Sequence, residues 1–135
     1  MKVESIMSRN VIKIKMDETL LRIQNLFEQY KFHHLLVTDE KDLIGVISDR
    51  DLLKNLSPFL NTPLEQPRDK ALLEKKAHQI MTREPVTINR KTSLEDACRL
   101  MQQKNVSCLP VISPEGYIEG VVTWRDLFRT LLRIE

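Results

Sequence analysis

The sequence predicts an α+β fold built from two tandem, pseudo-symmetric β-α-β-β-α repeats, each a small mixed sheet packed with two helices. The length of 135 residues suits one compact module. The chain also repeats itself, because Ile-Met-Ser-Arg at 6–9 returns as Ile-Met-Thr-Arg at 80–83, which is an offset of 74 positions. After one inserted residue near Tyr117, Gly-Val-Ile-Ser-Asp-Arg-Asp-Leu at 45–52 returns as Gly-Val-Val-Thr-Trp-Arg-Asp-Leu at 120–127. The two halves are therefore copies of one design.

The first half begins with alternating apolar and polar residues at 11–14, which predict a short strand. A helix follows, capped by Asp17 or Thr19, with apolar residues three and four positions apart up to residue 30. Strands are predicted at 35–38 and 43–47 around a polar turn. The last helix begins at Ser48.

The second half gives the same order of elements. Its strands are predicted at 86–88, 109–112 and 117–122, its first helix is capped by Ser93, and its last helix begins at Thr123. We divide the chain into a first repeat at 1–56, a linker with a short helix at 57–76, and a second repeat at 77–135. A lone repeat of this size has a marginal core, so we expect the two copies to form one integrated module.

Composition excludes several classes of protein. A net charge of +2, with 21 basic and 19 acidic residues interspersed, argues against a nucleic-acid partner. No apolar segment is long enough to cross a membrane or to serve as a signal peptide, and two cysteines suit a reducing compartment, so we expect a cytoplasmic protein. Three glycines cannot build a glycine-rich phosphate loop.

The segment Ser48-Asp49-Arg50-Asp51 and its copy at 123–126 allow two interpretations. A hydroxyl residue followed three positions later by an acid is the pattern of a helix capping box. A helix start also presents free amides that attract phosphate without a glycine loop. Duplication, together with an arginine inside each box, favours a ligand role, because a cap does not need that arginine.

These motifs resemble the CBS domain, named after cystathionine beta-synthase. The residues that carry the resemblance are Ile-Met-Thr-x-x-Pro-Val-Thr-Ile at 80–88, Leu-Pro-Val at 109–111 and Gly-Val-Val-Thr-x-x-Asp-Leu at 120–127, each with a counterpart in the first half. A pair of such repeats is a Bateman module. The chain is most similar to small stand-alone bacterial proteins of this kind.

The resemblance implies a regulatory sensor that binds an adenosine-containing ligand in clefts between the two repeats and signals to an effector protein. AMP, ADP, ATP, S-adenosylmethionine and NAD are the candidate ligands. It also implies dimerisation through helices. The alternative function is a constitutive homodimerisation scaffold without ligand.

The resemblance also assigns roles to residues of this chain. Asp51 and Asp126 would accept hydrogen bonds from the ribose hydroxyls. The phosphate would be held by a larger set, which comprises Ser48, Arg50, Thr123, Arg125 and His34. The adenine slot would be formed by Val11, Ile12, Pro85 and Val86. The first copy departs from the family pattern, because Val11 and Leu36 stand where Pro85 and Pro110 stand in the second.

No catalytic constellation or metal site is predicted, so the protein is not expected to be an enzyme or to need a catalytic cofactor. His33 and His34 are adjacent on a strand and point to opposite faces, which argues against a shared metal. One of them is either a pH-sensitive phosphate contact or a partly buried strand histidine. Cys98 and Cys108 are expected to fill core space.

Overall fold

The computed structural model describes residues 1–134, so Glu135, the last residue of the predicted second repeat, lies outside the described residues. The chain divides into two compact units whose boundaries differ from those of the sequence repeats. We call residues 12–83 the central unit, and residues 1–11 together with those from 84 onwards the terminal unit. Each unit therefore contains the short segment with which the other repeat begins in the sequence.

The central unit contains a mixed sheet of four strands. These are β1 (Lys13–Lys15), β2 (His34–Asp39), β3 (Asp42–Ser48) and β4 (Thr82–Arg83), in that order across the sheet. β1 runs parallel to β2, whereas the β2/β3 and β3/β4 pairs are antiparallel. Helix α1 (Leu20–Gln29) is capped by Thr19, whose hydroxyl accepts a hydrogen bond from Arg22 N at 3.2 Å. Helix α2 (Asp49–Asn55) follows β3 directly, as predicted.

The predicted linker helix is observed as α3 (Pro67–Ala71) followed by a 3₁₀ turn, Leu72–Glu74. Proline begins α3, where its missing N–H costs nothing. Asp69 is buried in this segment and accepts hydrogen bonds from Gln66 N and Ser57 Oγ, both at 2.7 Å. The backbone hydrogen bond from Gln66 and then the hydroxyl of Ser57 lower the pKa of Asp69. A short helix, α4 (Ala77–Ile80), leads into β4.

The terminal unit repeats this arrangement with fewer strand residues. It contains α5 (Leu94–Lys104), the antiparallel strands β5 (Cys108–Ile112) and β6 (Ile118–Thr123), and α6 (Trp124–Ile134). The strand predicted at 86–88 is wrong in extent, because only Ile88 pairs, in parallel with Val111. Pro110 explains the loss, since proline has no N–H with which to continue the ladder.

The segments 3–9 and 77–83 hold equivalent places in the two units. Val3 N donates to Thr92 O at 2.9 Å in the terminal unit, and Ala77 N donates to Glu18 O at 2.8 Å in the central unit. Ser8 bridges to Val121 as Thr82 pairs with Val46. The Ile-Met-Ser/Thr-Arg repeat is thus the outer edge of each small sheet.

Each unit has its own buried apolar core. The central core comprises Ile14, Leu20, Ile23, Leu26, Leu35, Val37, Ile47, Leu52 and Ala77. The terminal core comprises Val3, Met7, Ile88, Ala97, Met101, Leu109, Val111, Val122 and Leu127. No helix among residues 1–134 is long and apolar enough to cross a membrane.

Candidate functional site

The start of α2 is closed by a reciprocal capping box. Ser48 N donates to Asp51 Oδ2 at 2.8 Å, and Asp51 N donates to Ser48 Oγ at 3.1 Å. Asp49 N, the first amide of the helix, donates to His33 O at 3.0 Å. The hydroxyl and the carboxylate predicted to bind ligand are therefore side by side, and both take part in the cap.

The start of α6 has the same box with longer bonds. Thr123 N donates to Asp126 Oδ2 at 2.9 Å, while Asp126 N lies 3.4 Å from Thr123 Oγ1. Trp124 N lies 3.4 Å from Ser107 O, and this contact corresponds to the 3.0 Å bond from Asp49 N to His33 O in the central unit. The Thr123 hydroxyl also contacts Asp126 Oδ2 at 3.1 Å.

Both interpretations of the motif remain compatible with this geometry. In each box the cap uses Oδ2 of the aspartate. Oδ1 takes no part in either cap and is available to accept from a hydroxyl. Asp126 Oδ1 lies 3.9 Å from Arg129 Nη1, and the Asp126 side chain is only 11% exposed, so this carboxylate is held in a defined position.

The arginines of the two boxes, Arg50 and Arg125, are exposed at the first turns of α2 and α6. Their planar guanidinium groups are suited to a phosphate that approaches the helix start. The structure thus brings Ser48, Arg50 and Asp51 together in the central unit, and Thr123, Arg125 and Asp126 together in the terminal unit.

His34 lies beside the first box, because it pairs with Ser48 across β2 and β3. Its counterpart Cys108 pairs with Thr123 in the same way. Both side chains are at least partly buried. Among residues 1–134 no group of three or more His, Cys, Asp or Glu is arranged to hold a metal ion.

The sequence did not reveal the partner of the neighbouring histidine. His33 Nδ1 lies 2.9 Å from Asp49 Oδ2, and these side chains are 41% and 45% exposed. Burial opposes ionisation of Asp49, but the hydrogen bond and positive charge of His33, aided by the Arg50 amide, outweigh it and lower its pKa. A carboxylate therefore occupies the start of α2, whereas Trp124 holds this position in α6.

The predicted adenine residues differ between the copies in their backbone bonds. Ile12 O accepts from Leu36 N at 2.9 Å, which closes the ladder between β1 and the strand beside it. Pro110, the counterpart of Leu36, has no N–H to give to Val86. Ile12, Pro85 and Val86 are all partly buried. Val11 is the last residue of the first segment of the terminal unit, and Ile12 is the first residue of the central unit.

Aromatic and thiol groups next to the second box have structural roles. The Trp124 and Phe128 rings stack with centroids 5.7 Å apart, one turn apart on α6. Cys108 is buried in β5 and Cys98 is partly buried in α5, as expected of core residues. Burial, and secondarily the charge of Asp126, raises the pKa of the Cys108 thiol to about 12.

Comparison with known proteins gives a consistent result. A family model of the CBS domain matches residues 3–58 and 77–133. The sequence is 36% identical over 134 residues to a CBS domain-containing protein of Dictyostelium discoideum, covering 98% of this chain and 92% of the relative.

Two solved structures illustrate the similarity in fold. The CBS domain pair of protein MJ0100, in complex with 5′-methylthioadenosine and S-adenosyl-L-methionine, has a TM-score of 0.83 at 21% identity and covers 100% of this chain and 98% of that one. CBSX2, in complex with AMP, has a TM-score of 0.77 at 29% identity and covers 98% of this chain and 97% of that one.

Proposed function

The chain belongs to the CBS domain family, and from that premise we propose that it is a regulatory module whose conformation or partner contacts change when it binds an adenosine-containing ligand. CBS domain pairs are in general regulatory rather than catalytic. AMP, ADP, ATP, S-adenosylmethionine and NAD are the candidates. CBSX2, whose structure was solved with AMP, supports an adenine nucleotide among these candidates.

One observation carries the proposal: a hydroxyl and a carboxylate are hydrogen-bonded at a helix start that also bears an exposed arginine, and this group occurs twice. In the terminal unit, Asp126 Oδ1 would accept from the ribose hydroxyls while Oδ2 keeps the cap closed. Thr123 and Arg125 would contact the phosphate, with the helix start supplying a partial positive charge. Asp51, Ser48 and Arg50 would take these roles in the central unit, with His34 as a further phosphate contact.

A ribose held in this way gives a selectivity that can be measured. A 2′-deoxy analogue would leave the carboxylate short of a donor, which costs about 1–3 kcal/mol. A signal would arise only if the ligand binds two arrangements of the module with different affinity. The effector that receives it would be a protein that contacts one of these arrangements.

A scaffold without ligand is the second candidate. The observation that favours it is that the hydroxyl and the carboxylate of each box already serve to cap their own helix. Exposed apolar residues on α6 would then serve a constitutive homodimer. The two candidates differ in one measurable property, which is affinity for adenosine compounds.

Calorimetric titration of the five candidate ligands separates them. We expect at least one ligand to bind wild-type protein, and Asp126→Ala to weaken that ligand by about tenfold to a hundredfold through loss of the ribose contact. Ser93→Ala is the matched control, because Ser93 Oγ caps α5 through Asp96 N at 3.1 Å and has no proposed ligand role. Absence of binding by all five ligands would establish the scaffold instead.

A further inference from the structure

The two repeats differ in one backbone hydrogen bond of the predicted adenine slot. In the central unit, Leu36 N donates to Ile12 O at 2.9 Å. In the terminal unit the neighbouring ladder bonds are present, with Ile88 N donating to Pro110 O at 3.0 Å and Ile112 N donating to Ile88 O at 2.8 Å. The bond equivalent to Leu36 N to Ile12 O is missing, because its donor would be the nitrogen of Pro110.

The missing bond leaves the carbonyl of Val86 as an acceptor. Within residues 1–134, no other backbone donor takes the place of position 110. Val86 is partly buried and packs against the terminal core. A ligand donor that bonds to its carbonyl would therefore do so at a position partly shielded from water. The exocyclic amino group of adenine is a donor of this kind. The corresponding carbonyl of Ile12 is already satisfied.

The helix starts, where the phosphate is proposed to bind, also differ between the two repeats, and this difference again favours the second repeat. At α2, Asp49 N and Asp51 N have protein acceptors at 3.0 and 3.1 Å, and the Asp49 carboxylate rests at the helix start against His33. His34 also lies close enough to Asp49 to influence that carboxylate. At α6, both equivalent amide contacts lengthen to 3.4 Å and the aspartate is replaced by Trp124. An anion approaching α2 would meet the Asp49 carboxylate in addition to that of Asp51, whereas α6 has Asp126 but no counterpart of Asp49.

From these two independent differences we infer that the chain binds a single adenine nucleotide, in the second repeat, and that Pro110 makes this repeat competent by freeing the Val86 carbonyl. The first repeat keeps the same motif, but its backbone acceptor is already bonded to Leu36 N and its helix start carries the additional carboxylate of Asp49. This inference rests on the proposed function and assigns it to one of the two motifs.

Calorimetry with AMP measures the number of sites. We expect one AMP per chain, loss of at least tenfold in affinity with Asp126→Ala, and a change of less than about twofold with the control Ser93→Ala, whose hydroxyl caps α5. Trp124 is the only tryptophan of the chain, and its fluorescence should change with the same midpoint as the heat signal. Circular dichroism of each variant confirms that it is folded.

The role of Pro110 is tested through a ratio of affinities, which a loss of stability does not change. Nebularine 5′-monophosphate, which is AMP without the 6-amino group, should bind wild type about tenfold more weakly than AMP. Pro110→Leu restores the N–H found at Leu36, so this preference should fall to about one. Leu36→Val, which keeps the N–H, is the control and should leave the preference unchanged.

The outcomes distinguish the inference from the function on which it rests. Two AMP per chain, lost separately in Asp51→Ala and Asp126→Ala, would overturn the inference and leave the proposed function intact. One AMP per chain lost only in Asp51→Ala, or a preference retained in Pro110→Leu, would also overturn it. Failure of AMP and the other adenosine ligands to bind at all would overturn both.

Discussion

At the scale of single residues, burial decides the chemistry of the two cysteines. The charged thiolate is disfavoured in an apolar setting, which raises the pKa of Cys108 to about 12 and also raises that of Cys98, where Glu95 adds to the effect. Neither thiol is therefore activated as a nucleophile.

Alkylation tests this account of the thiols. We expect iodoacetamide at pH of about 8 to leave Cys108 unmodified in folded protein, and to modify it at the rate of a free thiol after denaturation. Peptide mass spectrometry assigns each site. Cys98, which is less buried, should react more slowly than in the unfolded chain but faster than Cys108. Equal rates for Cys108 in both states would refute its protection.

The ion pair between His33 and Asp49 predicts a dependence of stability on pH. Because folding lowers the pKa of Asp49 below 3.8, its ionised form adds stability that is complete above that value and disappears as the pH falls through the folded pKa. Asp49 is 45% exposed, so the contribution is below about 1 kcal/mol.

Asp49→Asn should therefore reduce the free energy of unfolding at pH of about 7 and have a smaller effect at about pH 2.5, where more of the wild-type carboxylate is protonated. Urea denaturation at the two pH values gives the comparison. A loss of equal size at both values would show that the charge of Asp49 contributes nothing.

The sequence predicted the local hydrogen bonds of the two capping boxes better than the contacts between residues far apart in the chain. Ser48 and Thr123 begin their helices and their aspartates close both boxes, because this pattern depends on contacts three residues apart. The contact between His33 and Asp49 spans 16 positions and depends on how a strand end meets a helix start. A local pattern does not contain that information.

At the scale of elements, the segments 3–9 and 77–83, which lie at the sheet edges, explain why positions 45 and 120 are both glycine. A Cβ on Gly120 would collide with the backbone carbonyl of Ser8, whose carbon would lie at 3.3 Å. A Cβ on Gly45 would collide with the Met81 side chain, whose Cγ would lie at 2.8 Å. The Ser8 backbone, which is hydrogen-bonded to Val121, can move less easily than the flexible side chain of Met81.

We therefore expect Gly120→Ala to destabilise the protein by about 1–3 kcal/mol, and Gly45→Ala to cost less. Thermal and urea denaturation of the two variants, each against wild type, measure the difference. A larger loss for Gly45→Ala would contradict the account, because it would mean that Met81 is the more rigid neighbour.

The order of elements was predictable because hydrophobic periodicity is local. The exceptions are the strand ends. The predicted strand at 86–88 shrinks to one bridge because Pro110, on another strand, cannot donate. β4 was not predicted, because its two residues form a strand only by pairing with β3, which lies more than thirty positions earlier in the chain.

At the scale of the whole molecule, α6 has an exposed apolar surface. Phe128 and Leu131 are 57% exposed and Leu132 is 75% exposed. A surface of this kind on a charged helix is typical of an interface. We propose that the protein forms a homodimer and that this surface mediates it.

Leu132→Glu should shift the protein from dimer to monomer in light scattering at micromolar concentration, because a buried unpaired charge is costly. Leu64→Glu is the control, since Leu64 is similarly exposed, at 67%, but lies in the segment between α2 and α3. A monomeric wild type, or a dimer unaffected by Leu132→Glu, would rule out this interface.

The division into units was not predictable from the repeats alone. Sequence similarity places the segment 77–83 at the start of the second repeat, whereas the structure packs Ala77 into the central core. Likewise Val3 is fully buried in the terminal unit. The constant offset between the repeats identifies equivalent residues. It does not show with which repeat the segments 3–9 and 77–83 pack.

The central claim is that this module binds an adenosine-containing ligand through the helix-start motif of the second repeat. Native mass spectrometry of the intact protein with added AMP tests it most directly, because the mass gives the number of ligands on each chain. The account predicts one AMP per chain in wild type and none in Asp126→Ala at the same AMP concentration. A wild-type mass without AMP, or one that carries AMP equally in the variant, would contradict it.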